Sequence, residues 1–205
     1  LNINNGDDIL NGGDGDDFIV GDQSMIYVNS NTQINNGDDQ LYGGDGDDEL
    51  YGDQVSSMLN ESNIADGDDL LNGGAGNDYI NGNGGNDTVE IELGKQQSVT
   101  LTDTSAEITD KKGKTVETDT LVSIENAALY GDKTANSFTA TGFSGTTTMD
   151  GGAGNDTFNG SDQTDVIIGG AGNDKAYGNG GDDLISGDAG NDRLYGGDGD
   201  DEING

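Results

Sequence analysis

Residues 151–204, cut every nine residues, read GGAGNDTFN, GSDQTDVII, GGAGNDKAY, GNGGDDLIS, GDAGNDRLY and GGDGDDEIN. The cut needs no gap, and Gly205 starts a seventh unit. All six units carry an aspartate at the sixth place: Asp156, Asp165, Asp174, Asp183, Asp192 and Asp201. The eighth place is always apolar, with Phe158, Ile167, Ala176, Ile185, Leu194 and Ile203. A fixed short period of this kind predicts a stacked repeat architecture.

The first ninety residues use the same unit. Full copies stand at 12–20, 43–51 and 73–81; looser ones begin at Ile3, Ile34, Ile64 and Gly82. Their sixth-place aspartates are Asp8, Asp17, Asp39, Asp48, Asp69, Asp78 and Asp87. A longer period lies on top, since NNGDD at 4–8, NNGDD at 35–39 and ADGDD at 65–69 recur about every thirty residues.

Composition alone points to disorder. The 205-residue chain has 41 acidic residues against 7 basic ones, a formal net charge of −34, and 29% apolar residues. High charge with low hydrophobicity is the signature of an unfolded chain, but the strict period argues against disorder as the whole account. Cysteine and histidine are absent. That excludes disulfides, thiol nucleophiles, zinc ribbons and the usual general base. The acidity excludes nucleic acid as a partner, because binding phosphates needs a basic patch. No stretch reaches the roughly 20 apolar residues of a membrane span, and no signal peptide is expected from the opening residues.

The repeat has a physical reading. A short strand places its middle residue on one face and its neighbours on the other. A six-residue turn reverses the chain, and its glycines supply positive φ and close backbone approach. Two nonapeptides make one coil with strands on opposite sides. Leu10, Ile19, Leu41, Leu50, Leu71 and Ile80 are then the inward residues of a thin two-sheet core. Such a core is small against about 1–2 kcal/mol of backbone entropy per ordered residue. Coils stack at about 4.8 Å, so sixth-place carboxylates two repeats apart become neighbours and repel. A divalent cation between them reverses the sign. Carboxylate and carbonyl oxygens suit calcium, whereas zinc and copper want the missing His and Cys.

The unit matches the G-G-x-G-x-D-x-U-x signature, known as a calcium-binding parallel β-helix repeat. The chain thereby resembles the RTX, or hemolysin-type, calcium-binding family over roughly residues 3–90 and 151–205. The resemblance implies an all-β, right-handed parallel β-roll (a β-solenoid) with two nonapeptides per coil, interrupted by a non-repeat β segment. It implies about 8–12 calcium ions, each bound by several oxygens. In such rolls one turn offers the carbonyls of its second and fourth residues and its Asp. The turn one coil later offers the carbonyls of its first and third residues and its own Asp.

Carried onto this sequence, the resemblance implies that Gly152, Gly154 and Asp156 meet Gly169, Ala171 and Asp174. Next, Gly170, Gly172 and Asp174 meet Gly187, Ala189 and Asp192. Asn179, Gly181 and Asp183 meet Gly196, Asp198 and Asp201, with Gly178 and Gly180 on the side of the preceding turn. In the first block, Gly13, Gly15 and Asp17 are expected against Ile34, Asn36 and Asp39. Gly44, Gly46 and Asp48 are expected against Ile64, Asp66 and Asp69, and Ala65, Gly67 and Asp69 against Gly82, Gly84 and Asp87. Two turns keep only the first half of the motif. There Gly21, Gln23, Gly52 and Gln54 can offer carbonyls to Asp8 and Asp39, with Asp22, Asp53 or water as substitute ligand. The alternative is a loop inserted at a coil corner with no full site. The turn GSDQTD at Gly160 lacks glycine at its second and fourth residues, which weakens its claim to a site.

Residues 91–130 break the period and read as a β insert or spacer between a block at 1–90 and a second at 131–205. Alternation at Val89, Ile91 and Leu93, and at Val99 and Leu101, predicts half-buried strands. Lys111, Lys112, Gly113 and Lys114 between Ile108 and Val116 predict a hairpin turn. From Gly131 the spacing returns with Phe138 inward, but Asn136 holds the sixth place, so residues 131–150 are expected to be calcium-free. Residues 139–148, rich in threonine, are expected to be ordinary β surface.

Within this segment no enzyme is expected, because a catalytic carboxylate pair is singular and a ligand lattice is not. The expectation is a secreted, extracellular module that folds on calcium, with type I secretion implied by the resemblance. Cytosolic calcium would leave weak sites empty, and extracellular levels would fill them. Ten bound divalent ions, as an estimate of roughly that occupancy, would bring −34 to about −14. The alternative is a calcium-dependent adhesive or carbohydrate-binding module, with self-association through calcium or polysaccharide contact. The chain starts inside one repeat and stops at the first residue of another, as a piece of a longer protein would.

Overall fold

In a computed structural model of the chain, the structure describes residues 2–4, 6–15, 18–24, 33–35, 37–55 and 64–205. Every regular element among the described residues is a β-strand. The chain forms two compact units, one of Leu1–Val89 with Thr120–Ile124 and one of Glu90–Asp119 with Glu125–Gly205.

In the first unit the nonapeptide strands stack in parallel on two sides. Ile9–Asp14, Gln40–Asp45 and Leu70–Ala75 lie in register, with Leu10, Leu41 and Leu71 in one column. Thr88 and Val89 extend that stack. Phe18–Ser24, Glu49–Val55 and Tyr79–Asn81 form the other side, with Ile19, Leu50 and Ile80 in a column that Leu121 continues. The column residues are buried, except that Leu10 is half-buried. A third strip runs along the turns, where Asn2–Asn4, Gln33–Asn35 and Ile64–Ala65 pair in parallel.

Stacking in this unit corrects two expected pairings. The turn at 12–17 does not face 34–39. Gly13 is in register with Gly44, and Gly44 with Gly74, so the turns 12–17, 43–48 and 73–78 form one row. The looser turns ending at Asp8, Asp39, Asp69 and Asp87 form the other. Successive coils there are 31, 30 and then 18 residues apart. The reason is the extra chain inserted within the first two coils. It lengthens the coil without changing which turns lie above one another. The expected contact of the 64–69 turn with 82–87 stands.

The second unit repeats the plan. Asn126–Tyr130, Thr146–Asp150, Asp165–Ile168, Leu184–Ser186 and Glu202–Asn204 are parallel, with Leu129, Met149, Ile167, Ile185 and Ile203 in one column. Opposite run Ser137–Gly142, Thr157–Asn159, Lys175–Gly180 and Arg193–Asp198, with Phe138, Phe158, Ala176 and Leu194 aligned. Register places like on like, so the buried Phe138 and Phe158 rings stack with centroids 5.0 Å apart and planes 1° apart. Ser98–Thr102 joins Ser137–Gly142 in parallel and then pairs antiparallel with Ser105–Thr109 through a tight turn at Asp103 and Thr104. That tight turn carries no glycine and was not legible in the sequence. The next hairpin is the predicted one. The Asp110 carboxylate accepts the Lys112 and Lys114 amides at 2.8 and 3.0 Å, and Gly113 has φ +74°.

Candidate metal centres

The sixth-place aspartate is built to reach backwards. Its Oδ1 accepts the backbone N–H of the sixth-place residue one coil earlier. Asp156 N donates to Asp174 at 2.8 Å, Asp174 N to Asp192 at 2.9 Å, and Asp183 N to Asp201 at 3.1 Å. In the first unit Asp8, Asp39 and Asp69 donate in turn to Asp39, Asp69 and Asp87, and Asp48 donates to Asp78, all at 2.8 Å. Asp17 and Asn36 lie outside the described residues.

The second carboxylate oxygen is different. Oδ2 of Asp39, Asp69, Asp156, Asp174 and Asp183 is buried and accepts no hydrogen bond. It folds under the first glycine of its own turn. A methyl group at Gly169 would lie 2.6 Å from Asp174 Oδ2 and 2.9 Å from the carbonyl oxygen of Gly187 in the next coil. At Gly151 the same pair is Asp156 Oδ2 at 2.6 Å and Gly169 O at 2.8 Å. Gly178 is likewise crowded by Asp183 Oδ2 and Gly196 O. Only glycine leaves room for two acceptor oxygens to converge there. A buried carboxylate oxygen that accepts no hydrogen bond and lies beside a carbonyl is compensated by a cation or a proton.

The turn backbone is stacked as closely. A Cβ on Gly172 would fall on the Gly154 carbonyl oxygen, and one on Gly170 would meet the Gly152 carbonyl. So the second- and fourth-residue carbonyls point along the stack, as the expected ligand set requires. Gly152 O also accepts Ala171 N at 3.0 Å, and Ala171 O accepts Gly154 N at 2.7 Å. Each carbonyl keeps a second lone pair. Where the second residue is not glycine, Asn83, Asn179 and Asp188 take the positive φ (70°, 82° and 59°). These side chains tolerate the left-handed region best.

Electrostatics agrees with carboxylates that are crowded and short of positive charge. Burial raises Asp39, Asp78, Asp156 and Asp183 from 3.8 to about 6, and Asp69 to about 7. The neighbouring carboxylates push in the same direction, against the lowering effect of the amide hydrogen bond. Hard oxygens in this number fit calcium.

Two turns are closed by donors instead. Asn136 keeps the backward contact, with its N–H on Asp156 Oδ1 at 2.7 Å. Its Nδ2 donates to Gly94 O at 3.0 Å and Gln97 O at 3.1 Å. The amide thus donates to two carbonyls of the preceding coil, and its Oδ1, beside the Gly151 carbonyl, accepts the Asp132 amide at 3.1 Å. At Asp165 both oxygens are served. Ser161 N donates to Oδ2 at 2.7 Å, Ser161 Oγ lies within 3.3 Å of both, and Thr147 donates to Oδ1 through N and Oγ1. Thr147 is therefore buried rather than surface. Asn179 Nδ2 also caps Gly160 O at 2.9 Å. Asp165, Gly178 and Gly180 were expected to hold metal; at Asp165 the chain's own donors serve both carboxylate oxygens.

The fifth place carries a second ladder that the motif reading passed over. Asn173 N donates to Asn155 Oδ1 at 2.8 Å and Asn191 N to Asn173 Oδ1 at 3.1 Å. Asp182, Asp47, Asp38 and Asp68 accept in the same way from Asp200, Asn77, Asp68 and Asn86. The signal was present: every fifth residue is Asn or Asp except Ala135 and Thr164, which belong to the two donor-closed turns.

Parallel coils with aspartates aligned along both rows of turns define a metal-binding β-roll. The model of the RTX calcium-binding nonapeptide repeat (4 copies) matches residues 4–24, 35–56, 65–92, 141–176 and 177–205. The chain belongs to that family and is a calcium-binding module that takes Ca2+ at multiple sites. The repeat is structural rather than catalytic. No curated protein matches the chain. No helix among the described residues is long and apolar enough to cross a membrane.

Proposed function

We propose that this module is folded by calcium, as a structural, secretion-coupled part of a larger secreted protein. The observation that carries the reading is the set of buried Oδ2 atoms of Asp39, Asp69, Asp156, Asp174 and Asp183, none of which accepts a hydrogen bond. An unpaired buried carboxylate costs several kcal/mol, roughly, unless a cation compensates it. In low calcium the repulsion keeps the chain open and exportable. In millimolar calcium, about the level of extracellular modules, metal binding and folding are one event.

The ligands in this proposal are the sixth-place aspartates with the turn carbonyls of adjacent coils. Asp174 serves two sites, with Asp156 on one side and Asp192 on the other. The blocks 1–90 and 151–205 carry the ions. Residues 91–130 act as spacer, and 131–150 hold none, because the Asn136 amide takes the role of the cation.

Far-UV circular dichroism during a calcium titration, with a chelator control, tests this. Repeat β-structure is expected to appear only with calcium, and an identical spectrum in chelator contradicts the proposal. Calorimetry is expected to count about eight or more ions; one or two would refute the ligand assignment.

A further inference from the structure

We propose that Asp22 and Asp53 are calcium ligands, and that the two split turns are three-carboxylate sites that fill before the regular ones. This rests on the calcium-binding reading above and adds residues that the nonapeptide motif does not contain.

The split turns depart from the others in their backbone. In a regular turn the residue after the first glycine takes positive φ and sends its carbonyl along the stack. At Gly21 and Gly52 the chain runs on as strand, with Asp22 beside Asp53 and Gln23 beside Gln54 in parallel register. Neither aspartate has positive φ. The regular carbonyl ligand is therefore lost, and a side chain replaces it. Asp22 Oδ2 turns back to accept the Gly37 amide at 2.6 Å, and Asp53 Oδ2 accepts the Gly67 amide at 2.9 Å. Each aspartate thus ties the first half of the broken turn to its second half.

One oxygen of each pair serves that latch. The rest of the geometry points to a cation. Asp22 is 5% exposed and Asp53 1%. Asp53 Oδ1 is buried and accepts no hydrogen bond, and neither does Oδ2 of Asp39 or Asp69 in the same two turns. Asp8, Asp22 and Asp39 bring one carboxylate oxygen each within 4.8 Å of one another. Under Gly21, Asp39 Oδ2 converges with the Gly52 carbonyl; under Gly52, Asp69 Oδ2 converges with the Gly82 carbonyl. Residues 1–90 contain no lysine or arginine, so no side chain there can supply the missing charge.

Calcium affinity rises with the number of charged ligands and the rigidity of the site. A regular site has two aspartates; Asp22 is a third beside Asp8 and Asp39, and Asp53 adds an unpaired Oδ1 to the turn of Asp69. The split turns are therefore the tight sites, and the insertions that interrupt the motif coincide with a gain in charge at the ion.

Calcium calorimetry on the whole chain tests the proposal, comparing wild type with Asp22→Asn, Asp53→Asn, both together, and Asp174→Asn as a regular-site control. Asparagine keeps the acceptor for the Gly37 and Gly67 amides and removes the charge. The double variant is expected to lose the two tightest ions or to bind them at least about tenfold more weakly. Asp174→Asn is expected to trim only the weaker phase. A tight phase untouched in the double variant, with Asp174→Asn lowering the count, overturns this inference and leaves the calcium-folding reading intact. A wild-type chain that binds no calcium overturns both. Circular dichroism at saturating calcium checks the fold. If the double variant fails to fold, each single variant is expected to show one tight ion fewer, and two unchanged single variants overturn the proposal.

Discussion

The turns ending at Asp174 and Asn136 occupy the same place in their coils and solve the same problem by opposite means. At Asp174 an acceptor meets an acceptor, because Oδ2, which accepts no hydrogen bond, and the Gly187 carbonyl crowd the same glycine. At Asn136 one oxygen has become an NH2 group, and it donates to two carbonyls of the preceding coil. The Asp165 turn reaches the same end with hydroxyls from Ser161 and Thr147. Both donor-closed turns also replace the positive-φ second residue by a local side-chain turn. Asp132 Oδ1 accepts the Thr134 amide, and Ser161 Oγ accepts the Gln163 amide. On the proposed function, metal dependence in this fold is set turn by turn, by whether the chain brings its own protons.

The largest effect should come from removing calcium. In chelator, hydrogen exchange is expected to leave slow amides around the hairpins and donor-closed coils of residues 98–150, while the turns at 37–87 and 169–201 exchange freely. Uniform exchange along the chain would erase the distinction between the two kinds of turn. Next in size is Gly172→Ala. Its methyl would fall on the Gly154 carbonyl, so calcium-loaded stability should drop by about 3 kcal/mol. Urea denaturation in saturating calcium measures this, and a loss below about 1 kcal/mol, the lower edge of typical overpacking costs, would contradict the close stacking of the turns.

Asn136→Asp converts the donor-closed turn into the other kind. Two hydrogen-bond donors go and a buried charge arrives, so about 2–3 kcal/mol should be lost in chelator. Calcium should return part of it, and denaturation with and without calcium reads both. Equal losses in the two conditions would deny the equivalence of amide and metal. Ser161→Ala is smaller, at about 1 kcal/mol, with the calorimetric calcium count unchanged; a lower count would make Asp165 a metal ligand after all.

The smallest effect is on pH. Asp39, Asp156 and Asp183 titrate near 6 and Asp69 near 7 in the fold, against 3.8 ordinarily, chiefly through burial. The metal-free fold then binds more protons than the unfolded chain between about pH 4 and 7. Its stability is greatest below about pH 4 and falls as pH rises through that window. In chelator, acidification from pH 7.5 to 4.5 should increase the β signal of the repeats, and a decrease would contradict the burial of these groups.

The period, the inward column and the sixth-place aspartates were legible because each is a one-residue rule repeated many times. Leu41, Leu50, Leu71 and Ile80 are as buried as their places demanded. The row to which a turn belongs was not legible in the first block. Counting copies set Gly44 against Ile64, but stacking follows the coil, and insertions change the count without changing the coil. Thr147 was read as surface because its partner, Asp165, lies 18 residues away and a coil distant. The hairpin at Gly113 was readable from its glycine and flanking lysines, while the Asp103 turn had no glycine to announce it.

The backward reach of the sixth-place side chain has a statistical consequence. Each such link joins a coil only to its immediate neighbour, so a roll behaves as a one-dimensional lattice with nearest-neighbour coupling. In such a lattice the steepness of the response to an ion depends on how many coupled units switch together. A run that contains a donor-closed coil is cut there, like a spin held fixed, and the runs on either side respond with cooperativity set by their own lengths. Two substitutions, asparagine for aspartate at 136 and serine for glycine at 161, would therefore tune how sharply the module answers calcium without touching a single ion.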